Sequence, residues 1–86
     1  MANYRVELSS SAEKALFKIP KKMILKITAA LEALSYNPHP HGCKKLSGFQ
    51  NIYRVRIGDY RVIYEILEEI ILVKVLKIGH RKEIYR

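Results

Sequence analysis

Eighty-six residues leave room for one domain with one modest core, because a chain this short buries only about 60% of the surface its unfolded form exposes. Hydrophobic residues at 49% and charged residues at 28% exclude a disordered chain. Sixteen Lys and Arg against eight Asp and Glu give a net charge of +8, a self-repulsion that a polyanion would offset, so nucleic acid is the leading partner.

The opening MANYRVELSS lacks the apolar stretch of a secretory signal, and the single Cys43 can form no internal disulfide; a reducing cytoplasm is the expected location. Tyr4, Val6 and Leu8 alternate with Arg5 and Glu7, which predicts a short strand with one face in the core. Ser10 and Glu13 have capping-box spacing and predict a helix to about Ile19, where Pro20 stops it. A second helix starts at that proline and runs to about Ser35, with Met23, Ile24, Ile27, Ala30, Leu31 and Leu34 on one stripe. Joined by almost nothing, the two helices form an antiparallel hairpin.

Residues 37–42, NPHPHG, break regular structure and read as a loop. His39 and His41 are spaced like a metal pair, but no third ligand is near, so they read as loop residues and no cofactor is expected. Lys44 and Lys45 follow in the loop. Three strands are then predicted at 52–57, 60–66 and 70–78, turning at Gly58-Asp59 and near Glu68-Glu69. The last of these is interrupted by Lys74 and Lys77 and falls far short of the roughly 20 residues of a membrane span, so no membrane partner is expected. The order β-α-α-β-β-β implies a single α+β domain over 1–86. Its antiparallel sheet has about four strands, with the helical hairpin on one face and the first strand beside the last.

A two-residue turn at Gly58-Asp59 fixes the register of its hairpin: Ile57 opposite Tyr60, Arg56 opposite Arg61, Val55 opposite Val62, Arg54 opposite Ile63 and Tyr53 opposite Tyr64. Tyr53, Val55, Ile57, Tyr60, Val62 and Tyr64 then share a core face, and Arg54, Arg56 and Arg61 share the other. Directly opposed like charges destabilise a hairpin by up to about 1 kcal/mol, whereas guanidinium forks closing on a phosphate reverse the sign. Lys44 and Lys45 add charge that can follow a nucleic-acid backbone. After Gly79, the tail brings together His80, which titrates near neutrality, the fixed cation Arg81 and the phenol of Tyr85. The final strand delivers that tail toward the edge of the arginine face.

These features resemble the RelE/ParE superfamily of bacterial and archaeal toxins from toxin–antitoxin pairs. The likeness covers essentially the whole chain, in NP-x-P-x-G-x-K-K-L-x-G (37–48), YRVRIGDYRVIYEI (53–66) and GHRKEIY (79–85). It implies a cytoplasmic ribonuclease of the RelE type that enters the ribosomal A site, cuts mRNA there, and is silenced by an antitoxin wrapped around it. Family positions with basic catalytic residues fall on Arg54, Arg56, Arg61 and Arg81, and the terminal tyrosine on Tyr85. Two positions that are lysine in the best-known member are Arg54 and Arg56 here, and an arginine is a poor proton carrier.

RNA brings its own nucleophile, the 2′-OH, so the expected chemistry needs no protein nucleophile and no metal. Arg56, Arg61 and Arg81 are the expected stabilisers of the phosphoryl charge, His80 the proton carrier, and Tyr85 a stacking or phosphate-orienting group. Two alternatives stand beside this reading: a ParE-like inhibitor of DNA gyrase without chemistry of its own, and a non-catalytic nucleic-acid-binding module.

Overall fold

A computed structural model describes residues 3–80. The elements run β1 (Arg5–Leu8), α1 (Ser10–Phe17), α2 (Lys21–Leu34), β2 (Lys44–Lys45), β3 (Ile52–Ile57), β4 (Tyr60–Leu67) and β5 (Leu72–His80), with a 3₁₀ turn at Glu68–Ile70. The α+β class, the helical hairpin and the meander are as the sequence predicts. Two features of the sheet differ. It is mixed rather than antiparallel, because β1 lies beside β5 as expected but runs parallel to it, in the order β1-β5-β4-β3-β2. It also has a fifth strand, since Lys44 and Lys45 pair with Arg54 and Tyr53 instead of lying in a loop. Two residues are too few for periodicity to reveal, and two lysines on an edge strand discourage further pairing there.

The helices cover one face of the sheet. Ile27, Leu31 and Leu34 of α2 and Ala12 of α1 are buried against Val62, Tyr64, Ile66, Val73, Val75 and Ile78. Met23 and Ile24 from the predicted stripe pack at the margin of this cluster, with Tyr53, Val55, Ile57 and Tyr60. α1 is capped one residue earlier than Ser10 and Glu13 predict. The Ser9 hydroxyl accepts the Ala12 N–H at 3.0 Å and donates to the Leu76 carbonyl at 2.8 Å.

That second bond controls the far side of the molecule. Leu76 has no partner on β4: Tyr64 pairs with Val75 and Ile63 with Lys77, so Leu76 is the extra residue of a β-bulge. Its carbonyl finds the Ser9 hydroxyl, and Ser9 N–H donates to Val75 O at 2.9 Å. The bulge changes the phase of β5, so that Val73, Val75 and Ile78 all face the helices although Val75 and Ile78 are an odd number apart.

The loop after α2 is tied to the core by the phenol of Tyr64, which is fully buried and donates to Pro38 O at 2.8 Å. Tyr53 stacks on that ring at 6.0 Å, and His39 meets Tyr53 edge-on at 5.1 Å, consistent with His39 as a loop residue. At the opposite margin, Tyr4 donates its hydroxyl to Glu68 Oε1 at 2.6 Å, joining β1 to the turn before β5. No helix among the described residues is long and apolar enough to cross a membrane.

Candidate nucleic-acid interface

Every pair predicted for the Gly58-Asp59 hairpin is present, from Ile57 opposite Tyr60 to Tyr53 opposite Tyr64, with Arg56 opposite Arg61. Gly58 sits at φ +62, and Asp59 is not in the positive-φ region, the sign pattern of a type II′ turn with glycine at its first central position. A Cβ at Gly58 would lie 3.1 Å from the Met23 methyl. Gly58→Ala is therefore expected to destabilise the fold by about 1–2 kcal/mol through the left-handed backbone alone, read as a lower urea midpoint with an unchanged slope.

Because Val62 and Tyr64 face the helices, their neighbours Arg61 and Ile63 face away from them, and the register assigns the residues beside them to the same outer side. One row across the sheet reads Arg56, Arg61, Gly79. The next reads Lys44, Arg54, Ile63, Lys77. The structure thus brings together Arg54, Arg56, Arg61 and Lys44 from the predicted set and adds Lys77. Toward the other end, Glu65 lies between Ile52 and Lys74, and Lys74 pairs with Glu7. Net positive charge on this face is concentrated at the Gly58 end, because Glu7 and Glu65 offset Lys74 at the other.

The three arginines differ in exposure. Arg56 is exposed, Arg54 half-buried, and Arg61 only 5% exposed, the one buried charged side chain among the described residues. Arg54 and Arg61 each interact with another group of the chain, and no buried side-chain nitrogen or oxygen among the described residues lacks a hydrogen-bond partner. Burial leaves the Arg61 guanidinium few orientations. Gly79 beside it adds no side chain to crowd the row.

Two predicted members lie elsewhere. Lys45 pairs with Tyr53, on the helix side of the sheet. His80 pairs with Tyr60, also on that side, and its ring meets Tyr60 edge-on at 5.5 Å with an interplanar angle of 80°. Without the Leu76 bulge, simple alternation from Val75 would have turned His80 toward the arginines and Lys77 away from them. His80 itself is thereby placed on the helix side, not on the arginine face. A cleft of about 320 Å³ lies beside it, lined by Ala15, Lys18, Ile19, Tyr60, Ile78, Gly79 and His80. Arg81 and Tyr85 lie outside the described residues. Lys77 was legible only through the bulge, whose signal is the run Val73 to Ile78, where apolar residues fall out of strict alternation around a lysine.

Burial pushes the Tyr64 phenol far above its usual range, with the neighbouring Cys43 sulfur adding to the shift. Tyr64 is a structural donor and stays protonated.

The chain matches, over residues 6–85, the family model described as "ParE toxin of type II toxin-antitoxin system, parDE". It is 30% identical to toxin RelG of Mycobacterium tuberculosis, covering 96% of this chain and 97% of that one. It is 34% identical to toxin RelE3 of Methanocaldococcus jannaschii over 78% of this chain and 74% of the relative. Among solved structures, the archaeal RelE–RelB complex from Pyrococcus horikoshii superposes with a TM-score of 0.84 at 34% identity, covering 94% of this chain and 98% of that one. With the fold, the hairpin register and these likenesses in agreement over nearly its whole length, the chain belongs to the RelE/ParE toxin family of type II toxin–antitoxin systems.

Proposed function

We propose that the chain is the RelE-type toxin of a toxin–antitoxin pair and an endoribonuclease that cuts mRNA on the ribosome. The observation that carries this reading is the opposition of Arg56 and Arg61 in a tight hairpin, extended by Lys44, Arg54 and Lys77 in the adjacent row. Such a face is a poor arrangement for an isolated protein and a good one for a phosphodiester.

The ribose 2′-oxygen attacks the adjacent phosphorus. The new O2′–P bond forms as the P–O5′ bond breaks, the 2′ proton leaves, and the departing 5′ oxygen gains a proton. The products are a 2′,3′-cyclic phosphate and a 5′-OH. Negative charge gathers on the phosphoryl oxygens during the attack, and fixed guanidinium groups stabilise that state more than the ground state. Arg61 is the preorganised donor and Arg56 and Arg54 complete the clamp. Arg81 and Tyr85 keep the roles that the family likeness implies, charge stabilisation and stacking or orientation. His80 reaches this chemistry only from the helix side of the sheet, so proton transfer does not rest on it. With no proton carrier on the arginine face among the described residues, the reaction depends on the ribosome to orient the RNA.

The partner of this chain in the resting cell is its antitoxin; the Pyrococcus horikoshii relative is itself a RelE–RelB complex. An acidic amphipathic segment suits the surface, because it would neutralise much of the +8 charge.

The test is incubation of the purified toxin with mRNA-programmed ribosomes, followed by end-group analysis, beside a gyrase supercoiling assay. Fragments ending in 2′,3′-cyclic phosphate and 5′-OH are expected. Intact mRNA with inhibited supercoiling would replace this reading by the gyrase one, which the ParE name of the family model favours. Retained but uncut RNA in both assays would leave a binding module.

A further inference from the structure

Four of the eight acids, Glu7, Glu65, Glu68 and Glu69, lie toward the end of the sheet opposite Gly58. So do four of the six large apolar side chains that are exposed among the described residues: Tyr36, Phe49, Ile70 and Ile71. Backbone bonds bring them to one tip. The Asn51 carbonyl accepts the Ile66 N–H at 2.9 Å, which sets the loop that carries Phe49 beside the end of β4, and Asn51 lines a cleft of about 260 Å³ with Leu67, Glu68, Glu69 and Ile70. The Ser35 carbonyl accepts the Tyr4 N–H at 2.8 Å, and the Tyr4 hydroxyl donates to Glu68, so Tyr36 stands at the same end.

Burial does not account for these side chains. Ile70 is 65% exposed and Ile71 40%. Ile71 also sits at φ +51, where a β-branched residue costs about 1–2 kcal/mol. A strained, exposed isoleucine adds little to the core, and grouped apolar side chains rimmed by charge mark a contact surface.

RNA and an acidic antitoxin segment are both repelled by Glu65, Glu68 and Glu69, so the tip suits a basic partner. The fold itself offers one in the arginine face at the Gly58 end of another copy, where Arg54, Arg56, Lys44 and Lys77 surround the half-buried Ile63. Two copies each carry +8, but near physiological salt charges are screened over about 8 Å, and the molecule is 33 Å along its longest axis. Each contact therefore senses the pole that faces it more than the net charge. Tip against tip would set acid on acid, so the two copies must meet through different surfaces.

We propose that the tip of one copy docks on the arginine face of a second, a head-to-tail contact in which the acids of the tip answer Arg56 and Lys77 and Ile70 covers Ile63. The contact itself is independent of the ribonuclease reading; its consequence, that association hides the RNA-binding face from substrate, rests on that reading.

The test uses three full-length proteins: the wild type, a tip variant with Glu69→Gln and Ile70→Ser, and a face variant with Arg56→Glu. All three positions are exposed, so the fold should persist. Mass is followed by sedimentation velocity from about 1 to about 200 μM near physiological salt. We expect the wild-type mass to rise with concentration from that of one chain, and each variant alone to associate at least about 10-fold more weakly. An equimolar mixture of the two variants should recover a 1:1 pair, because the face variant keeps its tip and the tip variant keeps its face. A wild type that stays monomeric at the highest concentration would overturn the proposal. So would association that survives Arg56→Glu, the mark of tip-to-tip pairing, association that survives the tip variant, or a mixture that stays monomeric. If association follows the expected pattern while programmed ribosomes are not cut, the contact stands and the nuclease reading falls.

Discussion

If the chain is the proposed ribonuclease, replacing Arg61 by lysine is expected to lower the single-turnover rate of mRNA cleavage on programmed ribosomes by about 10²–10³-fold, the range for loss of one transition-state donor. The substitution keeps the charge and most of the buried stem, so a site that needed only positive potential would hardly respond. A site that needs the fork would, because an ammonium cannot make two parallel hydrogen bonds to a phosphate. Arg61 is buried at the centre of its row, and part of any loss could come from the fold. Arg56→Ala separates the two causes. Arg56 is exposed, so its removal should leave the urea midpoint close to wild type while still reducing the rate by about 10². His80→Ala, on the far side of the sheet, should leave the rate at the wild-type order of magnitude. A large loss at His80 with none at Arg56 would reverse the assignment.

The largest stability effect is expected at Tyr64. Its side chain is the largest of the fully buried ones, and truncation to alanine should cost about 3–5 kcal/mol. Small domains have about 5–15 kcal/mol in total, so Tyr64→Ala should be largely unfolded near 37 °C. Tyr64→Phe isolates the hydrogen bond: the ring stays, but the Pro38 carbonyl loses its donor at a cost of about 1–3 kcal/mol. Because this bond ties the loop of residues 37–42 to the sheet, faster amide exchange in that loop should accompany the loss. The same phenol predicts a pH dependence. Its folded-state pKa is raised by burial, so above the ordinary tyrosine value the unfolded chain releases a proton that the folded chain keeps. Wild-type stability should therefore be constant with respect to this group below about pH 10 and fall as pH rises beyond it, and Tyr64→Phe should remove that slope.

Much of this could be read in advance, and the reasons are local. The Gly58-Asp59 dipeptide is a short-range turn signal, and once the turn is placed the period of two fixes every partner and side. The α2 stripe was equally legible, because fourteen residues give the helical period room to show. The misplaced features depend on contacts distant in sequence. The bulge at Leu76 is held by Ser9, so the phase of the last strand, and with it the sides taken by Lys77 and His80, is decided by a residue at the start of the chain. The pairing of Lys44 and Lys45 depends on β3 and leaves no periodic trace. The parallel run of β1 is likewise set by packing beside β5 and not by its own alternation.

The face shared by Arg54, Arg56 and Arg61 is proposed to receive the phosphate of the RNA. This is tested most directly by following the arginine Nε–H signals in solution while titrating the toxin with a short RNA carrying a single 2′-deoxy sugar, which binds but cannot be cut. The Arg54, Arg56 and Arg61 signals are expected to shift together and saturate with the ligand, while the Tyr60 and His80 rings stay unperturbed. Shifts confined to Tyr60 and His80, with the three arginines unmoved, would contradict it.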